Sequence, residues 1–154
     1  MPIKIGNKAP NFNLPVNGGQ TTSLNSLTGK NVIVYFYPKD DTPGCTKEAC
    51  GFRDAMPDFN KANTVVIGIS KDTIEKHGKF ISKYDLNFSL ASDENNSMCD
   101  DYEVWKEKNM YGRKYMGIER STFLVDGKGI LRAEWRKVKV SGHVDEVLAA
   151  VQAL

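Results

Sequence analysis

The stretch Val32–Arg53, V-I-V-Y-F-Y-P-K-D-D-T-P-G-C-T-K-E-A-C-G-F-R, decides how the rest of the chain is read. Residues Val32 to Tyr37 are all β-branched or aromatic, the pattern of a strand covered on both faces and therefore near the centre of a sheet. The polar turn from Pro38 to Thr42 follows. Beyond it Ala49, Phe52, Ala55, Met56 and Phe59 recur at spacings of three and four, which predicts a helix from Pro43 to about Phe59, weakened or bent at Gly51 and Pro57. A strand, turn and helix in this order put the turn beyond the carboxyl end of a strand, where open α/β sheets hold their ligand and reaction sites.

Upstream, Phe12, Leu14 and Val16 alternate before Asn17-Gly18-Gly19, a hairpin signal. Downstream, Thr64–Ile69 reads as a second buried strand. Thr73–Tyr84 reads as a helix with Ile74, His77, Phe80, Ile81 and Tyr84 on one face. Phe88–Ala91 fits a short strand, and the segment Ser97–Trp105 holds a short helix. Thr122–Val125, the turn Asp126-Gly127-Lys128-Gly129 and Ile130–Trp135 make a further hairpin. A closing helix runs from Ser141 or Gly142 to Ala153, with Val144, Val147, Leu148 and Val151 together. The order predicts an α/β fold in which the first crossovers are parallel and the last strands antiparallel.

With 154 residues and 40% hydrophobic content the chain is expected to form one domain over residues 1–154, with a core that needs no disulfide or structural metal. Its 21 basic and 19 acidic residues are interspersed, so a net charge of +2 gives no case for nucleic acid or a membrane surface as partner. The start, M-P-I-K-I-G-N-K-A-P-N-F, lacks the apolar core of a secretory signal, and no run of about 18 apolar residues occurs. A soluble, cytoplasmic protein is expected. Three cysteines are too few and the wrong parity for a secreted disulfide framework, so a close pair in a reducing compartment points to catalysis or metal binding. A metal set of Cys45, Cys50, Cys99 and His143 has poor ligand spacing, so two readings stay open at this point: a reactive thiol pair, or a buried cysteine at a routine helix start with Cys50 as a small apolar helix residue.

Thr42 is a favoured N-cap residue and Pro43 a favoured first helical residue. Cys45 then stands third in the helix, where unpaired N–H groups and the helix dipole favour a thiolate. Cys50 lies five residues on. In an intact helix the two Cα atoms are roughly 8–9 Å apart, beyond the ~7 Å limit for a disulfide, so the sulfurs cannot bond unless the first turns unwind. Gly44 and Gly51 are weak helix formers that ease such unwinding.

Pro38-x-x-x-Thr42-x-x-Cys45 resembles the P-x-x-x-[TS]-x-x-C signature of the peroxiredoxins, and Y-F-Y-P-K-D-D-T-P-G-C-T-K-E-A-C is similar to their bacterioferritin comigratory protein (BCP, PrxQ) subfamily. The similarity extends through A-P-x-F at 9–12, F-L-V-D-G-K-G at 123–129 and H-V-D-E-V-L at 143–148. The resemblance implies a thioredoxin-like fold, a central mixed sheet flanked by helices with an N-terminal β-hairpin. It also implies thiol-dependent reduction of hydrogen peroxide and organic hydroperoxides without a metal or organic cofactor. Cys45 would attack the O–O bond and become a sulfenic acid, Thr42 would hydrogen-bond the peroxide, and Pro38 would shield the site from water. Arg120, which directly precedes S-T-F-L-V-D, would polarise thiolate and peroxide; Arg53, Arg113, Arg132 and Arg136 are the other candidates, and eight helical residues set Arg53 about 12 Å from Cys45.

Within the resemblance Cys50 would resolve the sulfenic acid and thioredoxin would reduce the resulting disulfide, a cycle that permits a monomer. Cys99 is an alternative resolving thiol, otherwise a small, partly buried helix residue. The rival readings are a one-cysteine cycle with an external thiol, and a thioredoxin-like dithiol-exchange or binding protein without peroxidase chemistry. Phe36 and Tyr37 are candidates to line the pocket, His77 reads as a helix-face residue, and His143 as a cap or contact of the last helix.

Overall fold

A computed structural model describes residues 3–154, so Met1 and Pro2 of the start sequence lie outside the described residues. The chain opens with β1 (Asn13–Val16) and β2 (Gln20–Ser23), joined through Gly18 and Gly19 at positive φ, and passes a 3-10 turn at Asn25–Leu27. The central units are β3 (Asn31–Phe36), α1 (Pro43–Lys61), β4 (Thr64–Ser70), α2 (Ile74–Tyr84) and β5 (Ser89–Ser92). After α3 (Ser97–Asp101) come β6 (Trp105–Met110), β7 (Arg113–Ile118), β8 (Ser121–Val125), β9 (Leu131–Trp135) and α4 (His143–Gln152). Among the described residues no helix is long and apolar enough to cross a membrane.

Seven strands form one mixed sheet in the order β2-β1-β5-β4-β3-β8-β9. β3 pairs in parallel with β4 and antiparallel with β8, placing Val34 between Ile67 and Phe123. It is covered on both faces, as its unbroken apolar run requires. Val32, Val34 and Phe36 join a core with Cys99, Tyr102 and Phe123, whereas Ile33 and Tyr35 face a second core built with Phe52 and Phe59 of α1, Phe80 of α2 and Val147 and Val151 of α4. The sheet therefore separates two hydrophobic layers.

Pro57 does not end α1. A proline at this position cannot bond the carbonyl four residues earlier, and that carbonyl, of Arg53, accepts instead from Asn87 Nδ2 at 3.2 Å. The helix continues to Lys61, two residues past the expected end. Gly51 is a site of close approach: a Cβ there would stand 3.0 Å from Val144 Cγ2 on α4. Its smallness lets the two helices cross, besides lowering helix propensity.

The hairpin β6-β7 has no counterpart in the sequence reading. Its strands are mostly exposed and carry Lys106, Glu107, Lys108, Arg113 and Lys114, so the apolar alternation that marks a strand is missing. Its turn, Tyr111-Gly112, has φ of 53° and 78°, the paired positive values of a tight hairpin turn. The short helix expected within Ser97–Trp105 is α3, which ends at Asp101; Glu103 turns into the left-handed region and Trp105 begins β6.

Candidate active site

The loop after β3 delivers Cys45. Thr42 takes the N-cap position with extended backbone, Pro43 opens the helix, and Thr46 N–H donates to Thr42 O at 2.8 Å as its first closed bond. The N–H groups of Gly44 and Cys45, ahead of that bond, belong to the helix end where positive potential collects. The Thr42 side chain does not cap the helix as expected. Its hydroxyl donates to Lys39 O at 2.9 Å, closing the turn, so its oxygen keeps acceptor capacity on the side of the site.

Arg120 reaches this point from the strand-to-strand connection before β8. Its Nη2 donates to Cys45 Sγ at 3.3 Å and its Nη1 to Glu48 Oε1 at 2.6 Å. Gly44 makes room for it, since a Cβ there would lie 3.2 Å from Nη2. The other arginines are engaged elsewhere. Arg53 bonds Asp54 and Tyr84 O, Arg132 pairs with Asp126, Arg136 holds the carbonyls of Tyr102 and Glu103, and Arg113 is exposed on β7.

Cys45 is recessed, with 2% of its surface exposed, while Pro38 is exposed at the start of the loop. Cys50 lies half-buried on the same helix, beside a groove between α1 and α4 lined by Lys47, Gly51, Gly142 and Val144. Cys99 is fully buried on α3 in the opposite core layer, across the sheet from Cys45. Burial, reinforced by the Asp93 carboxylate, pushes its thiol pKa well up. All three cysteines are free thiols.

Two features of the site escaped the sequence reading. Glu48 is fully buried; its burial raises the carboxyl to about 7 against the opposing pull of Arg120, and its Oε2 has no partner among the described residues. The available signal was its place three residues after Cys45 on one helical face. Lys108, on the unforeseen hairpin, lies within electrostatic reach of Arg120 and Cys45; burial and then Arg120 lower its pKa, with Cys45 opposing. His77 lies on the same face of α2 as Phe80, as the spacing predicted, and is fully buried. His143 is a contact residue as expected, bonding Thr122 Oγ1 at 2.7 Å, with burial and then Arg120 lowering its pKa to about 4. Phe36 packs on Tyr102 and Phe123 in the far layer and Tyr37 turns inward to Asp40, so neither lines the opening.

The sequence profile of the AhpC/TSA family matches residues 5–134. The chain is 50% identical to peroxiredoxin Bcp of Bacillus subtilis, covering 99% of this chain and 97% of that protein. It is 46% identical to peroxiredoxin Bcp of Escherichia coli, covering 96% and 94%. The bacterioferritin comigratory protein of Xanthomonas campestris, whose trapped intermediate and ligand complexes concern alkyl peroxide reduction, superposes with a TM-score of 0.88 at 45% identity, over 92% of this chain and 90% of that one. A cysteine-to-serine variant of Xylella fastidiosa PrxQ gives 0.93 at 37% identity over 98% and 96%, so the thioredoxin-like fold is shared. With the profile running across most of the chain and identity at this level sustained from end to end, the protein belongs to the AhpC/TSA family and is a thiol-dependent peroxidase, a peroxiredoxin of the Bcp (PrxQ) kind.

Proposed function

We propose that Cys45 is the peroxidatic thiol and Cys50 the resolving thiol of a hydroperoxide reductase that draws its electrons from thioredoxin. The Cys45 thiolate attacks one oxygen of the substrate O–O bond, and the other leaves as an alkoxide or hydroxide that takes up a proton to become alcohol or water. Donors aimed at the developing charge accelerate such a step. Arg120 supplies them in a fixed fork that keeps its proton, Thr42 Oγ1, whose own proton goes to Lys39 O, accepts from the hydroperoxide O–H, and Pro38 limits water. Cys50 then displaces water from the sulfenic acid to form a disulfide once the first turns of α1 unwind, and thiol-disulfide exchange with the reductant restores both thiols.

The observation that carries this reading is the guanidinium of Arg120 at 3.3 Å from Cys45 Sγ, on a sulfur already set at a helix N-terminus. The pair lies on one chain, so the cycle needs no second copy and a monomer suffices. Its free thiols suit a reducing cytoplasm.

One equivalent of peroxide should consume two of the three thiols. C45S should abolish peroxide reduction, C50S should stop only thioredoxin-supported turnover, and C99A should leave both unchanged. Loss of a single thiol would replace this cycle by a one-cysteine cycle with an external reductant; activity surviving in C45S would overturn the assignment.

A further inference from the structure

Helix α2 takes no part in the chemistry above, yet three of its side chains grip the loop that carries Pro38 and Thr42. His77 Nδ1 stands 2.6 Å from Asp40 Oδ2, and Tyr37 Oη donates to Asp40 Oδ1 at 2.5 Å. His77 and Tyr37 are almost fully buried and Asp40 is 8% exposed. The far ring nitrogen of His77 lies 3.0 Å from Ala91 O. A carbonyl can only accept, so Nε2 carries a proton, and the contact between Nδ1 and the carboxylate requires a second proton between them. Both are then satisfied in a water-poor setting, where such a charge-assisted bond is strong and a broken one is costly.

Further ties surround this pair. Asp40 N–H donates to Asp72 Oδ2 at 2.8 Å, and Ser70 Oγ donates to the same oxygen at 2.7 Å. On the outside, Lys83 Nζ and Tyr84 Oη both donate to Asp41 at 2.8 Å. Asp41 has φ of 59°, a left-handed conformation that a non-glycine residue holds at some cost. Every bond on the outer side is exposed and solvent can replace it; the inner pair is not.

The loop ends at Thr42, whose carbonyl accepts the first bond of α1. Cys45 meets Arg120 only while that turn is formed, and can reach Cys50 only when it is unwound. We propose that the Asp40–His77 pair, buttressed by Tyr37, is the latch that holds the first turn of α1 in its peroxide-reactive form, and that it thereby sets the balance between attack on peroxide and disulfide formation. Asp40 and His77 are positioning residues: neither touches Cys45. The proposal rests on the Cys45 and Cys50 roles given above.

The two steps are read separately by stopped-flow kinetics, as the peroxide-dependent second-order constant and the peroxide-independent rate of disulfide formation. D40A should lower the first by about tenfold or more, the scale on which lost positioning acts, and should raise the second. General destabilisation would not move the two in opposite directions. D40N should restore both, because its amide can donate to a neutral Nδ1 while its oxygen still accepts from Tyr37. If D40A does not fold, H77F, which removes the donor and keeps a ring, should show the same opposed changes. Both constants falling together, or neither changing, would overturn the proposal. Absence of a peroxide-dependent phase in the unmodified enzyme would instead overturn the Cys45 reading, before any variant is compared.

Discussion

Replacing Glu48 by Gln alters one buried atom, and its effect on stability should depend on pH in a defined direction. The carboxyl is fully buried, with Oε1 on Arg120 Nη1 at 2.6 Å and Oε2 without a partner among the described residues. Burial raises its pKa from 4.5 to about 7, Arg120 pulling the other way. At about 1.4 kcal/mol per pH unit that rise corresponds to roughly 3 kcal/mol. The folded carboxyl holds its proton more tightly than the unfolded one, so its contribution is complete below pH 4.5 and is lost as pH climbs through about 7. Gln imitates the protonated form at every pH. The two proteins should be nearly equal in stability near pH 4, and the Gln variant more stable by roughly 3 kcal/mol near pH 8. Urea unfolding under reducing conditions across that range measures the difference. A difference that is flat with pH, or that turns in favour of Glu48 as pH rises, would refute the reasoning and show that Arg120 outweighs burial.

Other outcomes follow from single contacts. R120M should slow the peroxide-dependent step about 100- to 1,000-fold, the scale for losing a donor aimed at developing charge, with the far-ultraviolet circular dichroism unchanged; a rate within a few-fold of the unmodified enzyme would remove Arg120 from the mechanism. G68A should destabilise the protein by about 1–3 kcal/mol through overpacking, because the new Cβ would lie 2.7 Å from Leu90 Cδ2 and 2.8 Å from Tyr35 Oη. Adding Y35F removes one of the clashing atoms, so the double variant should recover part of the loss; strict additivity in a thermal melt would contradict the contact.

The strand, turn and helix around Cys45 were legible because each is written in local chemistry. An apolar run without alternation marks a strand covered on both faces, as β3 is, and Thr42-Pro43 marks a helix start wherever the chain goes next. The signature from Pro38 to Cys45 is equally local. Pro57 shows the limit of local rules: it weakens the helix by removing one bond, but Asn87, thirty-four residues from Arg53, takes the carbonyl it leaves free. The β6-β7 hairpin was not legible, since its strands are solvated and present no apolar period to read.

By itself the sequence determined the order of elements, the helix terminus under Cys45 and the family signature, since those depend on neighbours a few residues apart. Tertiary structure alone decided which arginine faces the thiol, across a separation of 75 residues, and which thiol shares its face of the sheet. It alone showed Glu48 buried behind Arg120 and His77 buried against Asp40. The physical reason is that burial and charge pairing are properties of what packs against a side chain, and for these residues the packing comes from strands and helices that only the completed sheet brings together.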